Sequence, residues 1–356
     1  MIENKSVKLA CRNVWKVYNG NDPKTYFNSK DKHLNDPAKL AERIRNEGGI
    51  PATADVSFDV HAGEIFVIMG LSGSGKSTIV RCLSRLVEPS HGEILLDGED
   101  LLKKSRKELI DIRRHKMGMV FQSFGLLPHL TVEENIAFPL RLQGLSLKER
   151  REKAARVIEL VGLEGRETSF PKQLSGGQQQ RVGIARSLAV EPELWFLDEP
   201  FSALDPLIRR QMQDEFLRIQ STLKKSIVFI THDFLEALRI ADRMMIMRDG
   251  MVVQIGTPAE LIVNPADDYV AEFTADVPLV RVLMAGGIMQ SDLAASDDMP
   301  RVSSKLTVEK ILPDLAAHPA GVAVTEGDKV LGVVTANSVV SALARESASR
   351  EKEVPA

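Results

Sequence analysis

A glycine-rich segment that ends in lysine and serine carries the clearest chemical signal in the sequence. The apolar, strand-forming run Ile65–Met69 leads into it, and its spacing meets the pattern G-x-x-x-x-G-K-S in full. Glycines let backbone N–H groups turn towards phosphate oxygens, and the start of a following helix adds its positive dipole end. Lys76 would reach the β- and γ-phosphates of a nucleotide, and the Ser77 hydroxyl would bind Mg²⁺. The predicted nucleotide contacts are Gly70, Ser72, Gly73, Ser74, Gly75, Lys76, Ser77 and Thr78.

Two carboxylates follow a second apolar run. Residues 194–197 read as a buried strand, and Asp198 and Glu199 come directly after it. Ligands bind at the carboxyl ends of strands in open α/β sheets, so Asp198 is a natural Mg²⁺ anchor opposite Ser77. Glu199 would polarise the water that attacks the terminal phosphate.

The elements that position these groups predict an α/β fold. The runs Ile65–Met69, 194–197 and Ser226–Ile230 are wholly or mostly apolar, which is typical of parallel strands that are covered on both faces. After the glycine-rich segment, apolar residues recur at helical spacing, and this predicts a helix with one buried face. The residues of that face are Ile79, Cys82, Leu83 and Leu86.

Composition limits the class of protein. The 356 residues suggest about two domains at roughly 150 residues each, and a net charge of −3 does not favour a dedicated nucleic-acid binder. Two cysteines, Cys11 and Cys82, are too few for a disulfide framework, so we expect inert thiols in a reducing cytosol. The longest apolar run, 282–289, is far shorter than the roughly twenty residues of a membrane span. With an N-terminus that has no apolar signal core, the sequence predicts a soluble protein.

The segment 174–181, Leu-Ser-Gly-Gly-Gln-Gln-Gln-Arg, resembles the signature motif of ATP-binding-cassette (ABC) ATPases. This resemblance covers about residues 7–265 and implies a P-loop NTPase fold of the ABC type that binds ATP and Mg²⁺ and hydrolyses ATP. It also implies a homodimer, in which the signature of one subunit closes on ATP that the other subunit holds. The signature residues expected to contact ATP are Ser175, Gly176, Gly177 and Gln178.

Further family markers occur in the expected order. Gln122 follows an apparent strand where the family has a glutamine that contacts Mg²⁺ and water, and Asp205 lies in the loop 202–205 that links the two sites of a dimer. His232 resembles the histidine that contacts the γ-phosphate. Tyr18 is the candidate for stacking on adenine, with Trp15 as a core residue. The resemblance therefore implies Glu199, His232 and Gln122 as catalytic residues, and Ser77, Gln122 and Asp198 as Mg²⁺ ligands.

Within the family, the sequence around the phosphate loop, Gln122 and the loop 202–205 is most similar to that of the glycine betaine, proline betaine and choline importer group. This resemblance implies a transmembrane permease, a substrate-binding protein or domain reached through it, and a peripheral position on the cytoplasmic face of the membrane. A helical subdomain would span 123–173, where apolar residues would form a groove for the permease. A helical insertion would span 19–54, with Asp36 as N-cap and Gly48 ending the helix.

Other interpretations stay open at this point. A soluble ABC ATPase that acts on nucleic acid or ribosomes usually has two cassettes or a long coiled coil, whereas here roughly 100 residues without sustained heptads separate Lys76 from Ser175. An importer of another small solute, such as an amino acid, has the same motifs. A nucleotide sensor that does not hydrolyse ATP is disfavoured because Glu199 and His232 are both present.

The C-terminal part of the sequence predicts a second, small α+β fold. Residues 266–300 read as a linker, polar from 290 onward, and 346–356 read as a disordered tail. Between them we expect a helix at 308–317, strands at 321–325 and 329–334 joined by a turn at 326–328, and a helix at 337–344. The segment 301–345 resembles a single cystathionine-β-synthase-type (CBS) motif, which implies a regulatory sensor that pairs with its counterpart in a second subunit. Ser338 stands where ligand-binding motifs have a ribose-contacting aspartate, so a degenerate dimerisation or spacer module is the alternative.

Overall fold

A computed structural model describes residues 5–27, 36–122, 125–275, 277–296, 298–327 and 329–352. These residues divide into two compact units between residues 255 and 256. The strands are β1 (Val7–Tyr18), β2 (Ile50–His61), β3 (Ile65–Met69), β4 (His91–Leu96), β5 (Glu99–Asp100), β6 (Met117–Val120), β7 (Leu194–Asp198), β8 (Ser226–Ile230), β9 (Arg243–Arg248), β10 (Met251–Gly256), β11 (Arg301–Ser303), β12 (Val322–Glu326) and β13 (Lys329–Val334).

The α-helices are α1 (Pro23–Tyr26), α2 (Pro37–Asn46), α3 (Lys76–Leu83), α4 (Arg106–His115), α5 (Val132–Leu142), α6 (Leu147–Leu160), α7 (Gly176–Leu188), α8 (Pro206–Leu223), α9 (Phe234–Ile240), α10 (Pro258–Val263), α11 (Asp268–Thr274), α12 (Ala285–Ile288), α13 (Val308–Ala317) and α14 (Ala336–Lys352). Short 3₁₀ turns lie at Leu101–Lys103, Pro171–Gln173 and Leu279–Arg281.

Two sheets build the first unit. Among the described residues, one sheet has the order β2-β1-β4-β5 with antiparallel pairs, and the other has the order β10-β9-β3-β8-β7-β6, parallel from β9 to β6. An apolar core joins side chains of both sheets with those of α3, and Phe58 stacks on Phe66 within it. Strands β3, β7 and β8 are buried at every position, as their apolar runs predict.

The helix after the glycine-rich segment is shorter than predicted. Helix α3 ends at Leu83, and Arg85 adopts a positive φ of 52°. Leu86 therefore leaves the helical face and is 49% exposed, while Ile79 and Cys82 are buried as expected. The chain turns away because a positive φ cannot continue a right-handed helix.

Both cysteines are free and buried. Burial raises the pKa of Cys82 to about 12 and raises the pKa of Cys11 well above its ordinary value. These thiols therefore stay protonated at neutral pH, in agreement with the predicted inert role.

The insertion after Tyr18 forms two helices that pack on the antiparallel sheet. Asp36 caps α2 as predicted, and Gly48 follows the helix with a positive φ of 84°. Strand β2 already begins at Ile50, so the predicted insertion 19–54 contains the first residues of that strand. Residues 28–35 lie outside the described residues. A separate buried cluster holds the insertion on the sheet; its members are Trp15, Tyr26, Leu40, Ala41, Ile44 and Ala54.

The predicted helical subdomain, 123–173, contains α5 and α6. Helices α5 and α6 each begin with a capping box, Thr131 with Glu134 and Ser146 with Glu149. Fully buried Asn135 accepts a hydrogen bond from the N–H of Leu127 and donates to three backbone carbonyls, so it holds the loop before α5 in place. Two residues of the predicted subdomain, 123 and 124, lie outside the described residues.

The second unit is larger than the predicted C-terminal fold. Its three-stranded sheet has the order β11-β12-β13, with β11 and β12 parallel and β12 and β13 antiparallel. Helix α13, strand β13 and the turn before it lie where the sequence predicts them, apart from residue 328, which is outside the described residues. The unit begins at residue 256, ten residues before the predicted start at 266.

Two predictions for the second unit are wrong. The predicted linker contains α11 and α12, and Ala285 is buried in the unit's core because its neighbours in 279–289 are apolar, apart from Arg281. Helix α14 extends to Lys352, into the supposed disordered tail, since alanine, glutamate, arginine and lysine there are good helix formers. Residue 297 and residues 353–356 lie outside the described part of the chain.

Ser338 forms hydrogen bonds with Thr335 at the start of α14. It exchanges two hydrogen bonds with Thr335, between each hydroxyl and the other residue's backbone N–H, at 3.1 Å each. The identity of this unit as a CBS motif stays a prediction. In the part of the chain that the structure describes, no helix has the length and apolar character that crossing a membrane requires.

We expect that Ile44→Ala destabilises the first unit by about 2–5 kcal/mol, because it opens a cavity where α2 packs on the sheet. Ile110→Ala on α4 is the matched control, since Ile110 is 38% exposed. Denaturant unfolding measures both free energies. Equal losses for the two variants would contradict the packing of the insertion.

Candidate nucleotide-binding and hydrolysis site

The phosphate loop lies between β3 and α3, and two of its glycines allow its close approach to neighbouring backbone. Gly70 and Gly75 have positive φ angles of 145° and 98°. A Cβ atom on Gly70 would overlap the carbonyl oxygen of Met247, and one on Gly75 would overlap that of Ala52. Only glycine fits both the conformation and the space at these positions.

The turn between β9 and β10 is hydrogen-bonded to the phosphate loop. The N–H of Gly250 donates to the carbonyl of Ser74 at 3.2 Å, and the carbonyl of Gly250 accepts from the N–H of Ala54 at 2.8 Å. The first residues of β2, which follow the insertion, therefore lie against the phosphate loop. The sequence carried no local signal for this contact, because the three segments are far apart along the chain.

Lys76 is buried within the loop. Its ammonium group donates to the carbonyls of Gly70 at 2.8 Å and Leu71 at 2.9 Å. Burial lowers the pKa of Lys76, while the nearby carboxylates of Glu199 and Asp198 act in the opposite direction. A buried ammonium group held by neutral carbonyls is well suited to an anionic ligand such as a nucleotide phosphate.

Ser77 and Asp198 come together as the sequence predicts. The Ser77 hydroxyl donates to Asp198 Oδ1 at 3.0 Å, across the gap between α3 and the end of β7. Burial raises the pKa of Asp198, and the hydrogen bond from Ser77 partly offsets this effect. Within the described ranges, no group of three or more His, Cys, Asp or Glu side chains is placed to hold a metal ion. The hydroxyl and carboxylate fit Mg²⁺ in the manner of sites that take their remaining ligands from phosphates and water.

Glu199 lies at the centre of a second group of predicted residues. Its Oε2 accepts a hydrogen bond from Gln122 Nε2 at 3.3 Å and lies 3.1 Å from His232 Nδ1. The backbone of Glu199 has a positive φ of 45°, which turns the chain sharply after β7. This contact is a hydrogen bond when His232 carries a proton on Nδ1, because a carboxylate only accepts hydrogen bonds. The group can therefore orient a water molecule and accept its proton.

The signature residues are organised separately from the phosphate loop. Ser175 caps α7, its hydroxyl accepts from the N–H of Gln178 at 3.3 Å, and Gln178 Oε1 accepts from the N–H of Ser175 at 3.0 Å. Gly176 and Gly177 form the first turn of this helix, and Asp205 caps α8 by accepting hydrogen bonds from the N–H groups of Leu207 and Ile208. Ser175 and Gly176 are exposed, so the N-terminus of α7 lies at the surface, where an anion would bind favourably.

Tyr18 and Trp15 differ in exposure as the sequence suggests. Tyr18 ends β1 and is 38% exposed, whereas Trp15 is 3% exposed within the insertion cluster. The Lys16 ammonium lies 4.9 Å from the centre of the Tyr18 ring. Tyr18 is thus the aromatic ring that remains accessible, and its contact with adenine stays a prediction.

Beside the site, the sequence reasoning missed three residues. Arg209 on α8, Asp233 after His232 and Glu236 on α9 line a small cavity of about 10 Å³ together with Glu199 and His232. Asp233 caps α9, and its position one residue before a helix was the only local signal.

A groove of about 410 Å³ lies beside the helical subdomain. Apolar side chains from β6, α5 and the connecting loop line most of it, and Arg113 and Arg186 lie at its polar part. The apolar lining residues are Met117, Met119, Phe121, Leu127, Phe138, Pro139, Leu142 and Val190. Leu127, Phe138, Pro139 and Leu142 of this lining fall within the predicted subdomain 123–173, and the docking of a permease here stays a prediction.

The fold and the site together define a P-loop ATPase of the cassette type. Residues 53–202 match the ABC transporter family. The chain is 49% identical over 346 residues to the trimethylamine N-oxide transport system ATP-binding protein TmoW of Pelagibacter ubique, with 97% of this chain and 98% of that protein covered. It is 44% identical over 342 residues to the glycine betaine/proline betaine transport system ATP-binding protein ProV of Salmonella typhimurium, with 96% and 84% covered.

A solved structure that the chain resembles is also an ATP-binding cassette. The dimeric ATP-binding cassette MJ0796 in a post-hydrolysis state with ADP and Pi is 32% identical, has a TM-score of 0.58, and is matched over 70% of this chain and 98% of its own. The chain therefore belongs to the ABC transporter family, as its motifs predicted, and is an ATP-binding subunit that hydrolyses ATP.

We expect Gly75→Ala to weaken ATP binding by at least about tenfold, or 1.4 kcal/mol, because the added Cβ overlaps the Ala52 carbonyl and displaces the loop. Gly98→Ala is the control: Gly98 has a similar positive φ of 80° with no heavy atom within 4 Å of the added Cβ. Titration with a fluorescent ATP analogue compares them. If both variants bind equally well, the loop does not depend on this close approach.

Proposed function

We propose that this chain drives an importer of small methylated amines, the class that contains glycine betaine, proline betaine, choline and trimethylamine N-oxide. One observation supports this most directly: the similarity to TmoW extends over 97% of the chain, well beyond the motifs that all ABC ATPases share. Five further relatives, among them the choline transport ATP-binding protein OpuBA of Bacillus subtilis, are named for betaine, carnitine or choline transport. The solute itself would be bound by other subunits.

The residues of the site support a hydrolysis mechanism with distinct tasks. Lys76 and the backbone N–H groups of the phosphate loop bind the β- and γ-phosphates. Ser77 and Asp198, with Gln122, would hold Mg²⁺, which neutralises phosphate charge when bound. Glu199 accepts a proton from the attacking water, and His232 orients Glu199 and contacts the γ-phosphate.

We infer that hydrolysis requires a homodimer. Ser175, Gly176, Gly177 and Gln178 form an exposed helix N-terminus, which would close on ATP held by the second subunit. Asp205 would reach across the same interface. The dimeric state of the cassette MJ0796 supports this arrangement.

The apolar groove beside the helical subdomain supports a permease as the partner. A helix of a membrane subunit would insert apolar side chains there, and Leu142, which is exposed at the groove, would contact it. This contact would hold the chain on the cytoplasmic face of the membrane, and a substrate-binding protein or domain would be reached through the permease. The CBS-like unit would regulate the transporter or pair the two subunits.

We expect Glu199→Gln to lower kcat for ATP hydrolysis by about 100-fold or more, because the water loses its proton acceptor while ATP binding is kept. ATP should then hold the variant as a stable dimer in size-exclusion chromatography. Glu164→Gln, an exposed position, controls for the loss of one negative charge. Near-normal turnover of Glu199→Gln would remove Glu199 from the mechanism.

The transport function is tested with the tagged chain purified from its own membranes together with the permease. In proteoliposomes with internal ATP, we expect uptake of radiolabelled trimethylamine N-oxide, glycine betaine or choline, and no uptake of glutamine. Leu142→Glu should reduce co-purification of the permease, while Leu147→Glu, exposed outside the groove, should not. The proposal would be contradicted by uptake of glutamine alone. It would also be contradicted by ATPase activity that changes with RNA or ribosomes but not with the permease.

A further inference from the structure

Two loops near the site are each joined to the start of a helix. The loop 202–205 leads into α8 and ends at its cap Asp205. The loop after β8 carries His232 and leads into α9, which Asp233 caps. The first loop would face the opposite subunit, and the second carries a residue of the hydrolysis site.

Arg209, in the first turns of α8, contacts both loops. Its Nη2 donates to the carbonyl of Leu204 at 3.2 Å, and its Nη1 lies 3.5 Å from Asp233 Oδ2. The third guanidinium nitrogen, Nε, is buried and has no hydrogen-bond partner among the described residues. A planar guanidinium group can hold two acceptors in fixed relative positions, so Arg209 links the two loops directly.

A second contact lies one helical turn further along α8. Gln213, on the same face as Arg209, donates through Nε2 to Glu236 Oε1 at 2.9 Å. Glu236 is only 6% exposed, and its N–H donates to Asp233 Oδ1 at 3.1 Å. Burial raises the pKa of Glu236, which agrees with a carboxyl group that depends on these partners. The start of α9 is therefore held to α8 at two successive points.

The same contacts lie directly behind the hydrolysis residues. Arg209 and Glu236 line the cavity of about 10 Å³ whose other walls include Glu199 and His232. A shift of Asp233 moves the backbone of His232, its neighbour in sequence, and with it the 3.1 Å contact to Glu199.

We propose that Arg209 is a positioning residue that couples the loop 202–205 to His232, so that the geometry at Glu199 depends on where the opposite subunit places that loop. This inference rests on the proposed functions of Glu199 and His232. When the loop moves on dimer closure, the Leu204 carbonyl moves, and the guanidinium group transmits the displacement to Asp233. Hydrolysis at one site is thereby linked to the state of the interface.

The test compares Arg209→Met, Arg209→Lys and the control Arg210→Met, since Arg210 is the exposed next residue of the same helix. Arg209→Met should lower kcat for ATP hydrolysis by about tenfold to a hundredfold, because small displacements of reacting groups have effects of that size. The Kd for ATP and the unfolding midpoint should stay at wild-type values, and the Hill coefficient for ATP should fall towards one. The kcat of Arg209→Lys should lie between the values for the wild type and Arg209→Met, because an ammonium group lacks the planar fork that holds both acceptors.

A double-mutant cycle with Asp233→Asn identifies the contact. Asparagine keeps the helix cap of α9 but removes the charge that faces Arg209. The double variant should lose no more kcat than Arg209→Met alone, since both changes remove one interaction. If Arg209→Met does not fold, the same cycle is measured with Arg209→Lys in its place, and it tests the same contact between Arg209 and Asp233.

Three results would overturn the coupling: kcat of Arg209→Met within twofold of wild type, an equal loss in Arg210→Met, or additive losses in the double variant. His232→Ala, measured in parallel, separates this inference from the proposed function. If His232→Ala retains near-normal turnover, the proposed function of His232 fails and the coupling fails with it. If His232→Ala is inactive while Arg209→Met is normal, only the coupling fails.

Discussion

Four neighbouring parallel strands, β3, β8, β7 and β6, end at one edge of a single sheet, and the rest of the site depends on this constraint. The strands are buried, so their direction and order are held by hydrogen bonds and apolar packing on both faces. The phosphate loop follows β3, His232 follows β8, Glu199 follows β7, and Gln122 follows β6. The groups at these strand ends are up to 162 positions apart in sequence, from Gly70 to His232, and thus border one region.

Burial then sets the electrostatics of that region. It lowers the pKa of Lys76 and raises the pKa of Asp198, because both charged forms lose solvation. Each group has neutral hydrogen-bond partners, backbone carbonyls for Lys76 and the Ser77 hydroxyl for Asp198. A nucleotide phosphate beside Lys76 would pair with its positive charge, and a divalent cation beside Asp198 would pair with its negative charge. The site is therefore preorganised for a charged ligand rather than filled by its own ion pairs.

Parts of the protein that have no catalytic group still affect this region through the backbone. The inserted helices pack on the antiparallel sheet, and the first residues of β2 contact the phosphate loop at Gly75. On the other side, α8 and α9 hold the loop of His232 through Arg209 and Gln213. The geometry of the hydrolysis residues thus depends on packing several residues away from them.

The sequence by itself determined what depends on short-range spacing. The phosphate loop, the carboxylates after β7, the cap of α2 at Asp36 and helix α13 each follow from residue types within a few positions of one another. Only the tertiary structure decided the strand order, the start of β2 at Ile50, the burial of Leu279, Val282 and Ala285 in the second unit and the contact of Arg209 with Asp233. These features come from pairing and burial between distant segments, and no local pattern specifies which segment will cover which. The early end of α3 and the extension of α14 differ from the predictions for a related reason: helix ends depend on small differences in backbone energy that tertiary packing readily overrides.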